Sequence, residues 1–230
     1  MMVKSMLSKK NHYLQIALNS SFAEVERIIN SLPVSERIII EAGTPLIKEY
    51  GASVIERIAY LWSAKFAGVG INSFPYIVAD LKCMDRGERE VSIAKKHGAS
   101  AAVVLGQAPV ETLDAFIGNC EKAEIDTMVD MMNVEKPYQV LRKLRKLPKV
   151  VILHRGVDEE EYSDKLLPIH LINKIKGAYN VLISVAGGDT LREIQSSVFN
   201  GADIVVVWKD FFRLKEETTT IAEEFLKTVK

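Results

Sequence analysis

One ten-residue stretch, YIVADLKCMD at 76–85, begins as an apolar run and then places Asp80, Lys82 and Asp85 close together. Two carboxylates around one amine favour its protonated form, because nearby opposite charges stabilise the charged state. A fixed ammonium group of this kind suits a proton donor or an electrostatic clamp for an enolate. The alternatives are a purely structural ion pair and, for Asp85, a simple cap on the helix that follows.

Polar residues and glycines also follow other apolar runs. Glu41 ends the run RIII, where a carboxylate needs a cation or hydrogen-bond donors to offset its desolvation. His154 ends KVVILH and is a candidate for proton transfer, with a core histidine as the alternative. The remaining candidates are Asn19, Asp130, which could simply orient a neighbour, and the pair Gly187 and Gly188, which could form an ordinary turn or hold phosphate through backbone N–H groups.

Short apolar, β-branched runs alternate with segments of helical period along the whole chain. Eight such repeats predict a (β/α)8 or TIM barrel of one domain over residues 1–230, rather than an open doubly wound sheet, because no Gly-x-Gly-x-x-Gly follows the first run. The strand ends of such a barrel converge on one mouth, and the segment 156–170 is the expected functional loop. The predicted strands are 13–18, 37–42, 76–80, 100–106, 125–130, 149–154, 180–186 and 202–208.

The composition excludes several kinds of partner. The chain has 230 residues, of which 48% are hydrophobic, and its 30 basic and 30 acidic residues give no argument for nucleic acid or an anionic membrane surface. Cys83 and Cys120 are too few for a disulfide framework and have no metal-ligand spacing. No window approaches the ~20 apolar residues of a membrane span, and the first residues lack a signal core. We expect a soluble, untargeted, cytoplasmic protein with a small-molecule partner.

Six segments together resemble the 3-hexulose-6-phosphate synthases. This family belongs to the orotidine 5'-monophosphate decarboxylase suprafamily, which also contains the 3-keto-L-gulonate 6-phosphate decarboxylases. Asp-x-Lys-x-x-Asp after the third strand and Glu-x-Gly-Thr-Pro-Leu after the second form a specific combination. The segments are IIIEAGTPLIKEYG, IVADLKCMDRGEREVSIAKKHGAS, VVLG, MVDMMNV, ILHRGVDEE and SVAGGDT.

The resemblance implies a role for each candidate. Glu41 and Asp80 would bind Mg2+, Lys82 would contact the substrate, and His154 would be the catalytic histidine of the sixth strand. Asp85 would reach into the partner subunit's site across a homodimer with shared active sites. Hard oxygen ligands also suit Mg2+ on independent grounds. The implied substrate-binding residues are Asn19, Glu41, Asp130, Gly187, Gly188 and Lys209.

Three positions favour an aldolase over a decarboxylase. Asp130 stands where the synthases resemble one another in having Asp and the decarboxylases have Glu, while Val157 and Ala186 replace a decarboxylase arginine and threonine. The implied activity is that of an aldehyde lyase, which interconverts hexulose 6-phosphate with ribulose 5-phosphate and formaldehyde. The metal would stabilise the developing oxyanion, while the histidine and lysine would manage proton transfers.

The chain also departs from the pattern of this family around the substrate. Asn19 replaces an aspartate, Trp208 stands where a glycine meets a phosphate oxygen, and Glu159 replaces a common glutamine. Asp210 would oppose a phosphate dianion unless Lys209 compensates for it. Two alternatives therefore stay open: a keto-sugar-phosphate or orotidine-phosphate-type decarboxylase, and a diverged paralogue without turnover that acts as a binding or scaffold protein.

Overall fold

The strands form a closed parallel barrel in sequence order, with the eighth strand paired back to the first. The computed structural model describes residues 7–162, 165–188, 190–208 and 217–229. The predicted (β/α)8 barrel is confirmed, and every predicted strand except the third agrees with the structure within two residues at each end. The strands are β1 Tyr13–Leu18, β2 Ile38–Ala42, β3 Ile77–Cys83, β4 Ala101–Leu105, β5 Asp126–Asp130, β6 Val150–His154, β7 Leu182–Ala186 and β8 Ile204–Val207.

Helices connect the strands and cover the outside of the barrel. They are α1 Phe22–Ser31, α2 Thr44–Tyr50, α3 Ser53–Gly68, α4 Gly87–Lys96, α5 Val110–Ala123, α6 Pro137–Leu141, α7 Val157–Tyr162, α8 Ile172–Ala178 and α9 Leu191–Phe199, followed by a C-terminal helix, Glu217–Thr228. A short 3-10 helix, Ile169–Leu171, precedes α8. In the ranges that the structure describes, none of these helices combines the length and the apolar character needed to cross a membrane.

The alternation of side chains along each strand divides the core into two layers. On β1, Tyr13 and Ala17 belong to the cluster that fills the barrel interior, whereas Leu14, Ile16 and Leu18 pack in the layer between the sheet and the helices. Each fully buried leucine or isoleucine contributes about 1.5–3 kcal/mol relative to an exposed one. The strands are therefore apolar on both faces, which explains why the sequence shows them as nearly continuous hydrophobic runs.

Strand β3 differs from its prediction, because it runs to Cys83 and does not stop at Asp80. Its register against β4 shifts between Ala79 and Cys83, and Lys82 has a φ of 44°, which is unusual for a residue other than glycine. An irregularity of this kind re-aims side chains next to a functional site. Asp80 and Lys82 are two residues apart and share the inner face of β3, so these two charges lie within the strand, while Asp85 follows it.

Candidate active site

The carboxyl ends of the strands surround one cavity of about 590 Å3. The segment predicted as the functional loop contributes residues 156–160 to its wall, and α7 begins within that segment. The roles of the lining residues remain predictions, but the structure brings most of the candidates together. Those that line the cavity are Asn19, Glu41, Asp80, Lys82, Asp130, His154 and Gly187.

Lys82 lies between two buried acids. Its Nζ is 3.2 Å from Asp80 Oδ2 and 2.9 Å from Asp130 Oδ2. Burial alone would lower the pKa of Lys82, but the two carboxylates outweigh this effect and raise that pKa above the ordinary value of lysine. The side chain is therefore a fixed ammonium group at neutral pH, which can donate hydrogen bonds or stabilise an anion but cannot act as a base.

Asp130 joins Lys82 to the histidine. His154 Nδ1 lies 2.8 Å from the same Asp130 Oδ2, while the Met132 N–H donates to Asp130 Oδ1 at 2.9 Å. Burial would raise the pKa of Asp130, but His154 and Lys82 lower it well below its usual range. Because an ionised carboxylate only accepts hydrogen bonds, Nδ1 of His154 donates to it, and Nε2 is the ring nitrogen left to face the cavity.

The second pair of acids is Glu41 and Asp80. Gln15 Nε2 donates to Glu41 Oε2 at 2.9 Å, and Thr44 Oγ1 lies 2.9 Å from Asp80 Oδ2. Burial and the neighbouring Asp80 charge raise the pKa of Glu41 to about 7. A cation bound beside the two acids would favour the charged form of Glu41.

The residues present fit a divalent cation at these two acids. Asp80 Oδ1 is buried and has no hydrogen-bond partner in the part of the chain that the structure describes. Within those same ranges no group of three or more His, Cys, Asp or Glu side chains is arranged to hold a metal. Mg2+ commonly uses one or two carboxylates and keeps several water or substrate oxygens, so the Glu41 and Asp80 pair suits it better than a metal that needs an all-protein cage.

Three candidates lie outside the cavity or cannot be described. Asp85 is exposed and lines a separate depression beside α4 and α5. It does not cap α4 either, because the N-cap residue is Arg86 and no side chain bonds there. Gly188 does not line the cavity, since its Cα is covered by Leu167 and Glu193. Lys209, and with it Asp210, falls outside the described residues.

The residues that depart from the family pattern do line the cavity. Asn19 packs so closely on Gly43 that a methyl group added there would lie 1.8 Å from Asn19 Oδ1. Trp208 is half-buried and packs against the apolar cluster of the barrel interior while also lining the cavity. From this position the Trp208 ring can stabilise the barrel by packing, and it can also reduce the space available to a substrate.

The sequence reasoning missed Gln15 and Arg155, which both line the cavity. Gln15 is buried, and its side-chain amide donates a hydrogen bond to Glu41. A signal was present, because an uncharged amide interrupts the apolar run YLQIAL and has to face the barrel interior if Tyr13 does. Arg155 gave less signal, since an arginine after a strand is usually solvated.

A closed (β/α)8 barrel with carboxylate, ammonium and imidazole groups gathered at the carboxyl ends of its strands is the arrangement of a barrel enzyme. The model of one family, described as orotidine 5'-phosphate decarboxylase / HUMPS, matches residues 12–207. The chain belongs to this family.

Known proteins similar to this chain support the same assignment. The bifunctional enzyme Fae/Hps of Methanocella arvoryzae is 38% identical over 207 residues, which are 89% of this chain and 50% of that protein. The protein of the same name from Methanothrix thermoacetophila is 36% identical, and the match covers 53% of its length. The chain therefore spans about half the length of these relatives. A crystal structure of a 3-hexulose-6-phosphate synthase is 26% identical with a TM-score of 0.78, covering 95% of this chain and 100% of that one.

We expect Asp130→Asn to lower the free energy of unfolding at pH 7 by about 3–5 kcal/mol, because it leaves the buried Lys82 partly unpaired. The lowered pKa of Asp130 means that its stabilisation is complete above the ordinary aspartate pKa of about 4 and is lost as the pH falls toward the folded value. The difference between wild type and variant should therefore narrow below pH ~4. Urea unfolding at several pH values measures the difference in the free energy of unfolding between the two proteins. A difference that does not change with pH would contradict the lowered pKa of Asp130.

Proposed function

We propose that the protein is a Mg2+-dependent aldehyde lyase that interconverts hexulose 6-phosphate with ribulose 5-phosphate and formaldehyde. The observation that carries the proposal is the Asp130 carboxylate, which holds Lys82 and His154 together in the cavity that also contains Glu41 and Asp80. The similarity to a 3-hexulose-6-phosphate synthase and to bifunctional Fae/Hps enzymes supports the substrate class.

The proton transfers follow from the contacts that Asp130 makes with Lys82 and His154. In the synthetic direction, His154 accepts the proton from C1 of ribulose 5-phosphate through Nε2, and the resulting enediolate carbon forms a bond to the formaldehyde carbon. The new alkoxide oxygen then takes a proton back from His154. Lys82, permanently charged between two acids, stabilises negative charge on the substrate oxygens throughout.

Glu41 and Asp80 would hold the metal ion. When bound, Mg2+ supplies additional stabilisation of negative charge that develops on oxygen. Gln15 and Thr44 orient the two carboxylates by hydrogen bonds, so that both acids are in place before substrate binds.

Two apolar side chains favour the lyase over a decarboxylase. Val157 and Ala186 both line the cavity, at the positions where the family resemblance implies an arginine and a threonine in decarboxylases. Neither can donate a hydrogen bond to a departing carboxylate. The cavity therefore suits a reaction that needs proton transfer near Asp130 and no cationic or hydroxyl group at those two places.

We also propose a cytoplasmic location. Both cysteines, Cys83 and Cys120, are buried free thiols. Thiols of this kind are typical of proteins in a reducing compartment.

Glu41→Gln should lower kcat for formaldehyde release about 10²–10³-fold, which is the typical cost of removing one group that stabilises an oxyanion. Chelation of the wild-type protein should have a similar effect, and calorimetry should detect one Mg2+ ion bound by the wild type and weaker binding by the variant. Glu56→Gln is a matched control, because Glu56 pairs with His97 away from the cavity. Undiminished turnover in Glu41→Gln under chelation would refute the metal assignment.

We further propose a homodimer in which the exposed Asp85 completes the partner subunit's site. Light scattering at micromolar concentration should then give twice the monomer mass of 25.7 kDa. Mixed Asp85→Asn and His154→Gln protomers should recover about a quarter of wild-type activity, because half of the dimers are mixed and one of their two sites is intact. Mixed dimers that form but stay inactive would rule out shared sites.

Trp208 allows a third test. If its ring occupies part of the space for the phosphate group, Trp208→Gly should bind ribulose 5-phosphate more tightly by at least ~1 kcal/mol, more than fivefold in Kd. Trp208→Phe, with a smaller ring, should give an intermediate gain. Calorimetry measures all three proteins, and tight binding by the wild type without a gain in either variant would mean that the ring only packs on the barrel interior.

A further inference from the structure

Arg155, the residue after His154, connects three elements at the mouth of the barrel. Its Nη2 donates to the carbonyl oxygen of Gly187, directly after β7. The same nitrogen lies 3.3 Å from Glu160 Oε1 on α7 and 3.4 Å from Glu193 Oε1 on α9. The side chain is only 11% exposed. Arg155 is thus a buried cross-link and not a solvated surface arginine.

The two glycines after β7 are packed between the members of this ion pair. Gly187 has a φ of 97°, and a methyl group added to it would lie 2.2 Å from the Arg155 carbonyl oxygen. A methyl group on Gly188 would lie 2.7 Å from Leu167 Cδ1 and 3.1 Å from Glu193 Cβ. The backbone and Cβ of Arg155 therefore cover one glycine of the turn and the Glu193 side chain covers the other, while the Arg155 guanidinium bonds to the Gly187 carbonyl.

Glu193 is itself fixed at the start of α9. It forms a capping box with Thr190, in which the Glu193 N–H donates to Thr190 Oγ1 at 3.2 Å and the Thr190 N–H donates to Glu193 Oε2 at 3.2 Å. The Arg155 guanidinium engages the other carboxylate oxygen of Glu193. The Arg155 side chain thus connects the end of β6 to the turn after β7 and to the first turn of α9.

We propose that Arg155 is a positioning residue that fixes the Gly187–Gly188 turn in the conformation that receives the phosphate group of the substrate. The inference rests on the proposed function for the identity of the ligand. Arg155 acts through the turn and not as a direct phosphate ligand, because Glu160 and Glu193 already balance its charge. The planar guanidinium is required, since the short ammonium of a lysine cannot reach a carbonyl and two carboxylates from the same position.

Only the arginine end of this ion pair is largely buried, since the side chains of Glu160 and Glu193 are 31% and 32% exposed. Charges removed from water cost several kcal/mol, and an apolar replacement of similar volume is often at least as stable. Arg155 and its two acids therefore contribute orientation of the turn more than stability. A function in orientation predicts an effect on ligand affinity that exceeds any effect on turnover.

The experiment compares Arg155→Met, Arg155→Lys and Glu193→Gln with Arg145→Met, whose arginine is 89% exposed and pairs with Asp114 away from the cavity. Amide hydrogen exchange of the peptide containing Gly187 and Gly188 reports on the turn without any ligand. Calorimetry with ribulose 5-phosphate gives Kd, and formaldehyde release gives kcat and KM separately. Thermal unfolding identifies any variant that fails to fold.

We expect faster exchange at the turn in both Arg155 variants and in Glu193→Gln, but not in Arg145→Met. Kd and KM for ribulose 5-phosphate should rise about tenfold or more in Arg155→Met while kcat changes less than about threefold. The double variant Arg155→Met with Glu193→Gln should be little worse than Arg155→Met, because both changes release the same turn.

Unchanged exchange at the turn in a folded Arg155→Met would overturn the proposal, and so would a fall in kcat at constant KM. A wild type that binds no ribulose 5-phosphate would instead refute the proposed function. If the wild type binds no ribulose 5-phosphate but amide exchange at the turn is faster in the variants, Arg155 still fixes the conformation of the turn. If Arg155→Met also fails to fold, Glu193→Gln decides the question with the same measurements.

Discussion

The buried carboxylate of Asp130 is the interaction on which the site depends. One oxygen, Oδ2, accepts hydrogen bonds from Lys82 and His154, and the Met132 N–H satisfies the other. Removal of a carboxylate from water costs several kcal/mol, and here that cost is offset because each oxygen accepts from at least one donor and two of the donors are basic side chains. The same contacts keep Lys82 protonated and place the acceptor nitrogen of His154 on the side away from the acid. One side chain thus keeps Lys82 charged and fixes the orientation of the His154 ring.

The barrel brings Lys82 and His154, which are distant from Asp130 in sequence, into contact with it. Lys82 on β3 and His154 on β6 flank Asp130 on β5, and strands that are not neighbours can meet at one point only because the closed sheet directs their ends toward the axis. The irregularity in β3 is part of this arrangement. A positive φ at Lys82 costs on the order of 1–3 kcal/mol, and the ion pairs with Asp80 and Asp130 oppose that strain.

Much of the fold and part of the site could be predicted because the relevant physics is local. Apolar runs and glycine or acid residues at their ends are visible in the sequence, and the barrel then brings Glu41, Lys82 and His154 to one cavity. The extension of β3 was not predictable, because charges inside a strand are read as its end unless their partners are known. Arg155 was missed for a similar reason, since its carboxylate partners lie on α7 and α9 and no spacing rule connects them.

The cost of the buried charges also bears on whether the chain has kept its chemistry. A binding or scaffold protein gains nothing from an acid that is 1% exposed beside an ammonium and an imidazole, because apolar side chains would fill the same space at least as stably. The departures Asn19 and Trp208 are of another kind: they change the wall of the cavity and leave the acids, the lysine and the histidine in contact. Because these departures leave the buried charges of Asp130, Lys82 and His154 in place, their energetic cost is best explained by retained chemistry, which agrees with the enzyme family to which the chain belongs.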